Sequence, residues 1–469
     1  MRRPTLAFAL LLAATTTARA QAPTLTADQR EARDILREVV NINSTSGTLG
    51  VKKAAEAMRN RLLKAGFPAA DVLLLGPTPE MTAVVARLRG RKSGKKPILL
   101  MAHLDAVTAN PKDWPFDPFT FKEEGGWYYG RGSDDDKSGV ANIVANFVRW
   151  KRERWVPDRD IIAVLSADEE TEGKSIGWLL ANHRDKVDAE FALNADGGGG
   201  AMDKGKPVAN TVQASEKTYV DFRVEVTNRG GHSSVPRADN AIYELAEALV
   251  AFGKYTFPVR LNEVSRAFFK QGAATQTPEV AALMRAVSAE PYSADAAARL
   301  SAMNPYWNSV MRTTCVATML DGGHADNALP QRAGALINCR MAPDDPTDSV
   351  MAVIQRVIGT KAKVSKAWNV VSSPVSPLRP DVMGVFTKLT QERFPGAVVI
   401  PEMSTGATDG LFTRNAGIPT YGVSAIFNEQ SEPSRAHGQE ERVGVKAFHD
   451  AVGFWYSMVK QLGSAEVTP

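Results

Sequence analysis

Cysteine is scarce in this chain: Cys315 and Cys339 are the only two among 469 residues. Two thiols cannot build a disulfide-rich scaffold or a four-thiolate zinc site. An excess of basic charge is also lacking. Without Arg2, Arg3 and Arg19, which belong to the leader described next, 53 of the 56 basic residues remain against 52 acidic ones. A balance so close to neutral gives no indication of a nucleic-acid partner.

Long hydrophobic runs are absent beyond the N-terminus, where no stretch approaches the roughly 20 apolar residues of a membrane-spanning helix. The first 20 residues read as a signal peptide, with a basic start, a short apolar segment over 6–14 and the small-x-small cleavage site Ala18-Arg19-Ala20. We expect an exported protein, periplasmic or secreted, that begins at Gln21 and has no membrane attachment after cleavage. The alternative is an uncleaved leader that remains as an anchor.

Short apolar runs alternate with helical patterns along the first half of the chain. The runs predict strands, and the amphipathic segments between them predict helices. The predicted strands are 81–88, 97–102, 160–166 and 191–195, and the predicted helices are 26–40, 51–66 and 138–152. This alternation is typical of an α/β fold whose mixed sheet is covered by helices.

The pattern changes near Thr211, where strands at 220–227, 311–320 and 333–341 and an Ala-rich helical stretch at 261–310 indicate a smaller α+β insertion. Strand and helix patterns of the first kind return after it. The domain organisation predicted from these changes is a signal peptide over 1–20, a first domain over 21–210 and 342–469, and an inserted domain over 211–341.

Carboxylate and imidazole groups lie where the predicted strands of the first domain end. His103 and Asp105 follow one strand, Glu169 and Glu170 follow another, and Asp196 follows a third. Open α/β sheets bind ligands at the carboxyl ends of their strands. Converging carboxylates repel one another unless a cation neutralises them, and a neighbouring His favours zinc, cobalt or manganese over calcium or magnesium. The sequence therefore predicts a metal site.

The order of these segments resembles that of the co-catalytic dinuclear zinc exopeptidase and aminoacylase superfamily, which includes glutamate carboxypeptidase, carnosine dipeptidase and succinyl-diaminopimelate desuccinylase. The motifs are His-x-Asp at 103–105, Gly-Arg-Gly-x-x-Asp-x-Lys at 130–137, Asp-Glu-Glu at 168–170, a single Asp at 196, the insertion, and a late His at 437. Together they span nearly all of the mature chain. The resemblance implies that the insertion is a ferredoxin-like lid and dimerisation domain, and that the protein is a homodimer.

The resemblance also implies the ligands of two zinc ions, for which cobalt or manganese are alternatives. Asp135 would bridge both ions. His103 and Asp196 would complete one site, and Glu170 and His437 the other. The peptide bond that follows the bridging Asp is expected to be cis.

Catalytic and substrate-binding roles follow from the same resemblance. Glu169 would be the general base for a metal-bridging water, and Asp105 would hold its neighbouring ligands. His232 would reach the scissile carbonyl of the dimer partner's substrate. Asn327 would line the site, and Arg340 would bind the substrate's carboxylate through its planar, bidentate guanidinium. The alternatives are an ordinary turn histidine and a surface arginine.

The function that these residues imply is that of a zinc-dependent carboxypeptidase or dipeptidase acting on short peptides with a free carboxylate. An N-acyl-amino-acid amidohydrolase is the alternative, because it would use the same site with a different pocket. A non-catalytic binding protein on this fold would have lost a ligand or the base, yet every position is filled. A serine hydrolase is disfavoured because the chain contains no Gly-x-Ser-x-Gly motif.

The two cysteines lie on predicted neighbouring strands. If these strands pair antiparallel about Asn327, residues whose numbers sum to 654 face each other, and Cys315 faces Cys339. Directly opposed residues come within reach of a disulfide bond, which an exported protein can form. The alternative is two free buried thiols, because the long connection allows the register to slip.

Cleavage of the leader can be tested on the exported protein. We expect intact-mass measurement of material from the periplasm or medium to give a chain that begins at Gln21. An Ala20→Arg variant is the control, because it removes the small residue that cleavage requires and should keep its leader. A wild-type mass that includes residues 1–20 would contradict the prediction.

Overall fold

The computed structural model describes residues 24–91, 93–367, 371–432 and 434–464. The predicted signal peptide lies outside these residues. Within them, no helix has the length and apolar character that crossing a membrane requires.

The regular structure of the described residues consists of strands, α-helices and short 3₁₀ turns. The strands are β1 (Val72–Leu75), β2 (Ala83–Leu88), β3 (Ile98–His103), β4 (Lys122–Glu124), β5 (Trp127–Tyr129), β6 (Ile161–Ser166), β7 (Phe191–Asn194), β8 (Gly199–Asp203), β9 (Lys206–Glu216), β10 (Thr218–Thr227), β11 (Gly231–His232), β12 (Thr314–Gly322), β13 (Ala328–Leu329), β14 (Arg332–Met341), β15 (Ala362–Lys366), β16 (Val398–Ser404), β17 (Thr420–Gly422), β18 (Phe427–Glu429) and β19 (Arg442–Gly444). The helices are α1 (Ala27–Val40), α2 (Leu49–Lys64), α3 (Lys137–Arg152), α4 (Lys174–Asn182), α5 (Arg184–Val187), α6 (Ala241–Gly253), α7 (Glu263–Gly272), α8 (Pro278–Ser288), α9 (Ala294–Met303), α10 (Pro305–Met311), α11 (Thr347–Ile358), α12 (Pro380–Arg393), α13 (Gly410–Asn415) and α14 (Val445–Gly463).

A ten-stranded mixed sheet organises the larger part of the fold, in the order β1-β2-β6-β3-β7-β17-β9-β8-β18, with β16 paired to β9. Strand β3 lies parallel to both β6 and β7, whereas β2 runs antiparallel to β6. The carboxyl ends of β3, β6 and β7 therefore meet at one edge. The mixed sheet and its covering helices confirm the predicted α/β class.

The central strands β3, β6 and β7 of the large sheet are fully buried. All six residues of β3 are buried, and they alternate between two apolar clusters, with Ile98 and Leu100 in one and Leu99 and Met101 in the other. A strand covered on both sides reads as a continuous apolar run, which is how the sequence made it recognisable.

The helix that opens the described chain follows its sequence signals. The Thr26 hydroxyl accepts a hydrogen bond from the backbone N–H of Gln29, and the Gln29 side chain accepts one from the backbone N–H of Thr26. This capping box satisfies amide groups that the first turn leaves without a helical partner. It confirms the predicted start of α1.

A separate four-stranded antiparallel sheet has the order β12-β14-β10-β15. With α6 and α11 it runs β–α–β–β–α–β along the chain, the ferredoxin-like arrangement. Phe222, Leu245, Ile337 and Ile354 belong to a core of its own.

The apolar clusters divide the chain at points other than residues 211 and 341. Strand β9 stays in the large sheet up to Glu216, and α11 and β15 join the smaller core although they follow residue 341. The helices within 261–310 lie in the predicted insertion along the chain but pack on the large sheet. Val264, Phe269 and Met284 belong to the core of that sheet.

Two local expectations differ from the structure. The predicted strand at 311–320 starts later, since Met311 is the last residue of α10, a helix opened by the Asn304 side chain and by proline at its first turn. The strand β12 begins only at Thr314. The hairpin of β8 and β9 was not predicted, because its first strand starts inside the glycine run at 197–200, which resembles a loop.

The disulfide bond between Cys315 and Cys339 is present, with the two Cα atoms 4.0 Å apart. Cys315 pairs with Cys339 and Val316 with Asn338 in the predicted register. An irregularity between Ala317 and Met319 then shifts the pairing by one residue. The predicted bridge is confirmed, and the predicted register holds from the bridge as far as this bulge.

Removing the bridge should destabilise the protein by releasing a closed loop in the unfolded chain. The cysteines are 24 residues apart, and cross-links of this span contribute about 3 kcal/mol. We expect a Cys315→Ala/Cys339→Ala variant to lose about that free energy of unfolding in urea. Dithiothreitol should lower the stability of the wild type but not that of the variant. Two alkylated cysteines in unreduced exported protein would contradict the bridge.

Candidate metal centre and active site

His103 is the last residue of β3, and its imidazole is buried. Its Nδ1 lies 3.1 Å from the backbone oxygen of Asp105. Its Nε2 lies 2.9 Å from Oδ1 of Asp135. The contact at Nδ1 fixes the ring so that Nε2 faces Asp135, an orientation typical of metal-binding histidines.

The loop that carries Asp135 is held by a residue the sequence analysis did not single out. The buried carboxylate of Glu441 accepts hydrogen bonds from the backbone N–H groups of Gly132, Asp134 and Asp135, each at 3.0 Å. It also accepts one from the guanidinium of Arg131 at 2.6 Å. The peptide bond between Asp135 and Asp136 is cis, as predicted.

Asp105 is fully buried and organises the turn after β6. Its carboxylate accepts hydrogen bonds from the backbone N–H groups of Glu169 and Glu170, both at 3.1 Å, and from the Ser46 hydroxyl at 2.8 Å. Asp105 thus contacts the backbone of the predicted base and of a predicted ligand, and its role in holding them stays a prediction.

Asp135 lies between two histidines. One of its oxygens is 2.9 Å from Nε2 of His103, and the other is 3.2 Å from Nε2 of His437. His437 is also 2.9 Å from an oxygen of Glu170. Glu169 and Asp196 gather on the other side, with ligand atoms within 4.8 Å of one another and of His103. The structure thus brings all five predicted ligands and the predicted base to one edge of the sheet.

The charges in this cluster perturb one another. Burial raises the pKa of Asp196 to about 8, and the charge on Asp135 adds to the effect. Burial likewise raises the pKa of Glu170 to about 7. For Asp135, burial acts in the same direction, but hydrogen bonds from His103 and His437 outweigh it and lower the pKa. The hydrogen bond to Asp135 raises the pKa of His437 to about 9.

These shifts follow from crowding carboxylates together with few cations. Without a metal, only protons on the histidines and on some carboxylates balance the charge. Imidazole nitrogens and carboxylate oxygens are donors that zinc, cobalt and manganese accept, and divalent cations would supply the balancing charge. By donor type and placement, the described residues therefore fit a metal centre.

A sequence model of the peptidase family M20/M25/M40 matches residues 99–461. The chain belongs to this family. Membership confirms the resemblance to the zinc exopeptidase and aminoacylase superfamily, and it makes the protein a metal-dependent hydrolase of peptide or amide bonds.

Relatives of this M20/M25/M40 chain include a probable carboxypeptidase S-like protein of Dictyostelium discoideum, 28% identical over 86% of this chain and 78% of its own length. An N-fatty-acyl-amino acid synthase/hydrolase of Homo sapiens is 26% identical over 80% of this chain and 75% of its own length. The fold is similar to that of an M20 family metallo-carboxypeptidase from Sulfolobus solfataricus. That similarity has a TM-score of 0.67 at 18% identity and covers 92% of this chain and 99% of the other.

Three further predicted residues of the family member lie on the smaller domain or beside it. His232 and Asn327 are exposed around the short β11–β13 pair, where His232 contacts the Ser234 hydroxyl at 2.8 Å. Arg340 lies at the end of β14, with its guanidinium 4.5 Å from the centre of the Tyr219 ring and donating to the backbone oxygen of Thr405 at 3.1 Å. Their proposed roles stay predictions.

The buried carboxyl groups of Glu441 and Asp409 have no role assigned from the sequence. Glu441 follows His437 without a motif of its own, although Arg131 of the Gly-Arg-Gly motif needs an acidic partner if it is buried. Asp409 lies in the glycine-rich turn at 406–410, and burial raises its pKa to about 7. From sequence, this segment resembles a family loop that lines the pocket, and a glycine-rich turn that caps the next helix is nearly as good an explanation.

Glu441→Gln should loosen the Asp135 loop, because an amide offers one acceptor oxygen and presents an NH2 group to the donors. We expect a loss of about 3 kcal/mol in the free energy of unfolding, as when one partner of a buried ion pair is removed. We also expect weaker zinc retention on dialysis, measured by elemental analysis. The control is Glu440→Gln, whose half-exposed carboxylate pairs with Arg435 at 3.3 Å. Equal stability and equal zinc retention in both variants would contradict a positioning role for Glu441.

Proposed function

We propose that the protein is an exported, dinuclear zinc exopeptidase, a carboxypeptidase or dipeptidase, that hydrolyses an amide bond of short peptides with a free carboxylate. The observation that carries this proposal is the position of Asp135 between His103 and His437, with Glu169 beside the cluster. The set offers both a bridging ligand and a general base.

Two zinc ions would be held by Asp135 together with His103 and Asp196 on one side and Glu170 and His437 on the other. Bound zinc lowers the pKa of water and polarises a carbonyl group. Cobalt or manganese would suit the same donors.

Glu169 is placed to move the proton. Its backbone N–H donates to Asp105, which fixes the turn from which the side chain projects. Burial raises the pKa of Glu169 well above the ordinary value, and Asp196 adds to the effect. A carboxylate of raised basicity can accept a proton from the attacking water and deliver it to the leaving amine nitrogen. No covalent intermediate is needed.

Arg340 supports recognition of the substrate's carboxylate. Its guanidinium is half-buried, and stacking on Tyr219 orients its plane. A planar, bidentate donor suits a carboxylate.

An N-acyl-amino-acid amidohydrolase is the second candidate function. The relative of Homo sapiens named an N-fatty-acyl-amino acid synthase/hydrolase favours it, because the likeness extends over 80% of this chain. Peptides and N-acyl amino acids share the scissile amide and the free carboxylate, so the same groups would serve both.

A hydrolysis screen separates the candidates. The zinc-loaded protein would be given dipeptides, tripeptides and N-acyl amino acids, with release of the amino acid measured, and the screen repeated with cobalt and manganese. We expect hydrolysis of short peptides with a free C-terminus and none of their C-terminal amides. Activity confined to N-acyl amino acids would support the second candidate, and no activity on either class would overturn the proposal.

Export and dimerisation are parts of the same proposal. The disulfide bond supports export, because such bonds persist in oxidising compartments. The edge strand β12 and the adjacent helix α6 support a homodimer through the smaller domain. They expose Val316 by 60%, Leu320 by 69% and Tyr243 by 64%, and an apolar edge of this kind can pair with a second copy.

Glu169→Gln should retain two zinc ions per chain on elemental analysis while its turnover falls by several orders of magnitude. The physical reason is that an amide cannot accept the proton. The exposed Glu172→Gln, on the same turn, is the matched control and should keep its activity. Activity of Glu169→Gln within about tenfold of the wild type would exclude Glu169 as the base.

Complementation tests the proposed contribution of His232 across a dimer. Glu169→Gln and His232→Ala chains should each be inactive alone. A mixed dimer should recover activity, because one of its two sites combines an intact Glu169 with an intact His232. Dimers carrying two different affinity tags, purified on both, provide the measurement. Absence of activity in such confirmed mixed dimers would contradict the role in trans.

A further inference from the structure

A cavity of about 570 Å³ lies beside the metal centre and has no role in the chemistry described above. Asp135 and Asp196, two of the proposed metal ligands, line it on one side. Its volume is in the range of pockets that enclose a small organic ligand. A part of the substrate that binds in this cavity would therefore lie next to the scissile bond.

The acidic lining of the cavity disfavours binding of the substrate's free carboxylate. Asp134, Asp136 and Glu402 line it in addition to the two ligands, and its described lining includes no Lys, Arg or His. A substrate carboxylate would meet only like charge there. The free carboxylate must then bind on the other side of the scissile bond, which leaves the cavity for the acyl side.

Two of the acidic groups already have hydroxyl partners. The Ser434 hydroxyl donates to Asp134 at 2.8 Å, and the Tyr306 hydroxyl donates to Glu402 at 2.8 Å. Each hydroxyl group engages one carboxylate oxygen and leaves the negative charge of the group in place.

Part of the cavity wall comes from the helical stretch 261–310, whose role the sequence did not reveal. Phe268 of α7 and Tyr306 of α10 both line it, and their rings meet edge to face with centroids 5.9 Å apart. Ile426 adds further apolar surface. Because Phe268 is nine-tenths buried and packs on the large-sheet core, this wall is rigid.

We propose that this cavity binds the acyl side of the substrate, takes a mainly apolar group that carries no carboxylate, and is limited in length by Phe268. The inference rests on the proposed function and names the substrate class for it. An apolar side chain of a peptide and the alkyl chain of an N-acyl amino acid share this chemistry, and the substrates below distinguish them.

The test compares kcat/KM for derivatives of one C-terminal residue, phenylalanine. The substrates are N-acetyl-, N-octanoyl- and N-succinyl-phenylalanine, together with leucyl-phenylalanine and glutamyl-phenylalanine. We expect the wild type to favour octanoyl over succinyl, and leucyl over glutamyl, by about tenfold or more, because the second member of each pair adds a carboxylate. A preference for the succinyl or the glutamyl substrate would overturn the inference.

Substitutions at Phe268 test whether this residue limits the length of the bound group. Phe268→Trp should lower the octanoyl-to-acetyl ratio of kcat/KM by about tenfold, because the larger ring shortens the cavity, and Phe268→Leu should raise the ratio. Phe269→Leu is the matched control: it removes the same atoms from the neighbouring buried residue, which does not line the cavity, and should leave the ratio unchanged.

A binding measurement keeps the test independent of turnover. Calorimetry on Glu169→Gln with N-octanoyl-phenylalanine should give a Kd that the added Phe268→Trp change raises about tenfold and the added Phe269→Leu change does not. An active wild type whose ratio and Kd are unaffected by Phe268→Trp would overturn the inference alone. A wild type inactive on every substrate would overturn the proposed function, and the inference with it.

Discussion

The carboxylate of Glu441 accepts hydrogen bonds from the guanidinium of Arg131 and from the backbone N–H groups of Gly132, Asp134 and Asp135. Arg131 in turn donates to the backbone oxygens of His437 and Gly438. One buried ion pair therefore joins the two loops that bring Asp135 and His437 together, although they are 302 positions apart in the chain. A buried pair of this kind is costly to break, since either partner alone would be an uncompensated charge. The metal centre depends on this ion pair, because Asp135 can face both histidines only while the two loops keep their relative position.

A second buried carboxylate, that of Asp105, holds the turn that carries Glu169 and Glu170. Asp105 accepts from the backbone of Glu169 and Glu170, so one side chain fixes both the proposed base and a proposed ligand. The two groups have different proposed functions although they are neighbours in sequence. Glu170 contacts His437, whereas Glu169 gathers with Asp196 near His103. Adjacent residues on one turn project to different sides, and the hydrogen bonds of Asp105 hold that difference in place.

The helical stretch 261–310 links the smaller domain to the substrate side of the site. It lies within the insertion along the chain, yet its apolar residues pack on the large sheet, and Phe268 and Tyr306 reach the cavity beside Asp135 and Asp196. An element that shares the rigid core and also lines the cavity can set the size of the group that binds there without touching the ligands. The proposed chemistry and the proposed selectivity would thus be carried by different segments of the chain.

Strong local signals determined much of this protein from sequence alone. The apolar run of β3, the capping box of Thr26 and the spacing of the ligand motifs each act over a few residues, so they could be read without knowing the fold. The pairing of Cys315 with Cys339 could be proposed for the same reason, since both lie on adjoining strands. The partner of Arg131, the burial of Asp409 and the direction in which α7 to α10 pack could not be read. Each depends on contacts between residues far apart in the chain, and only the tertiary structure decides which distant carboxylate, hydroxyl or apolar surface a buried group will meet.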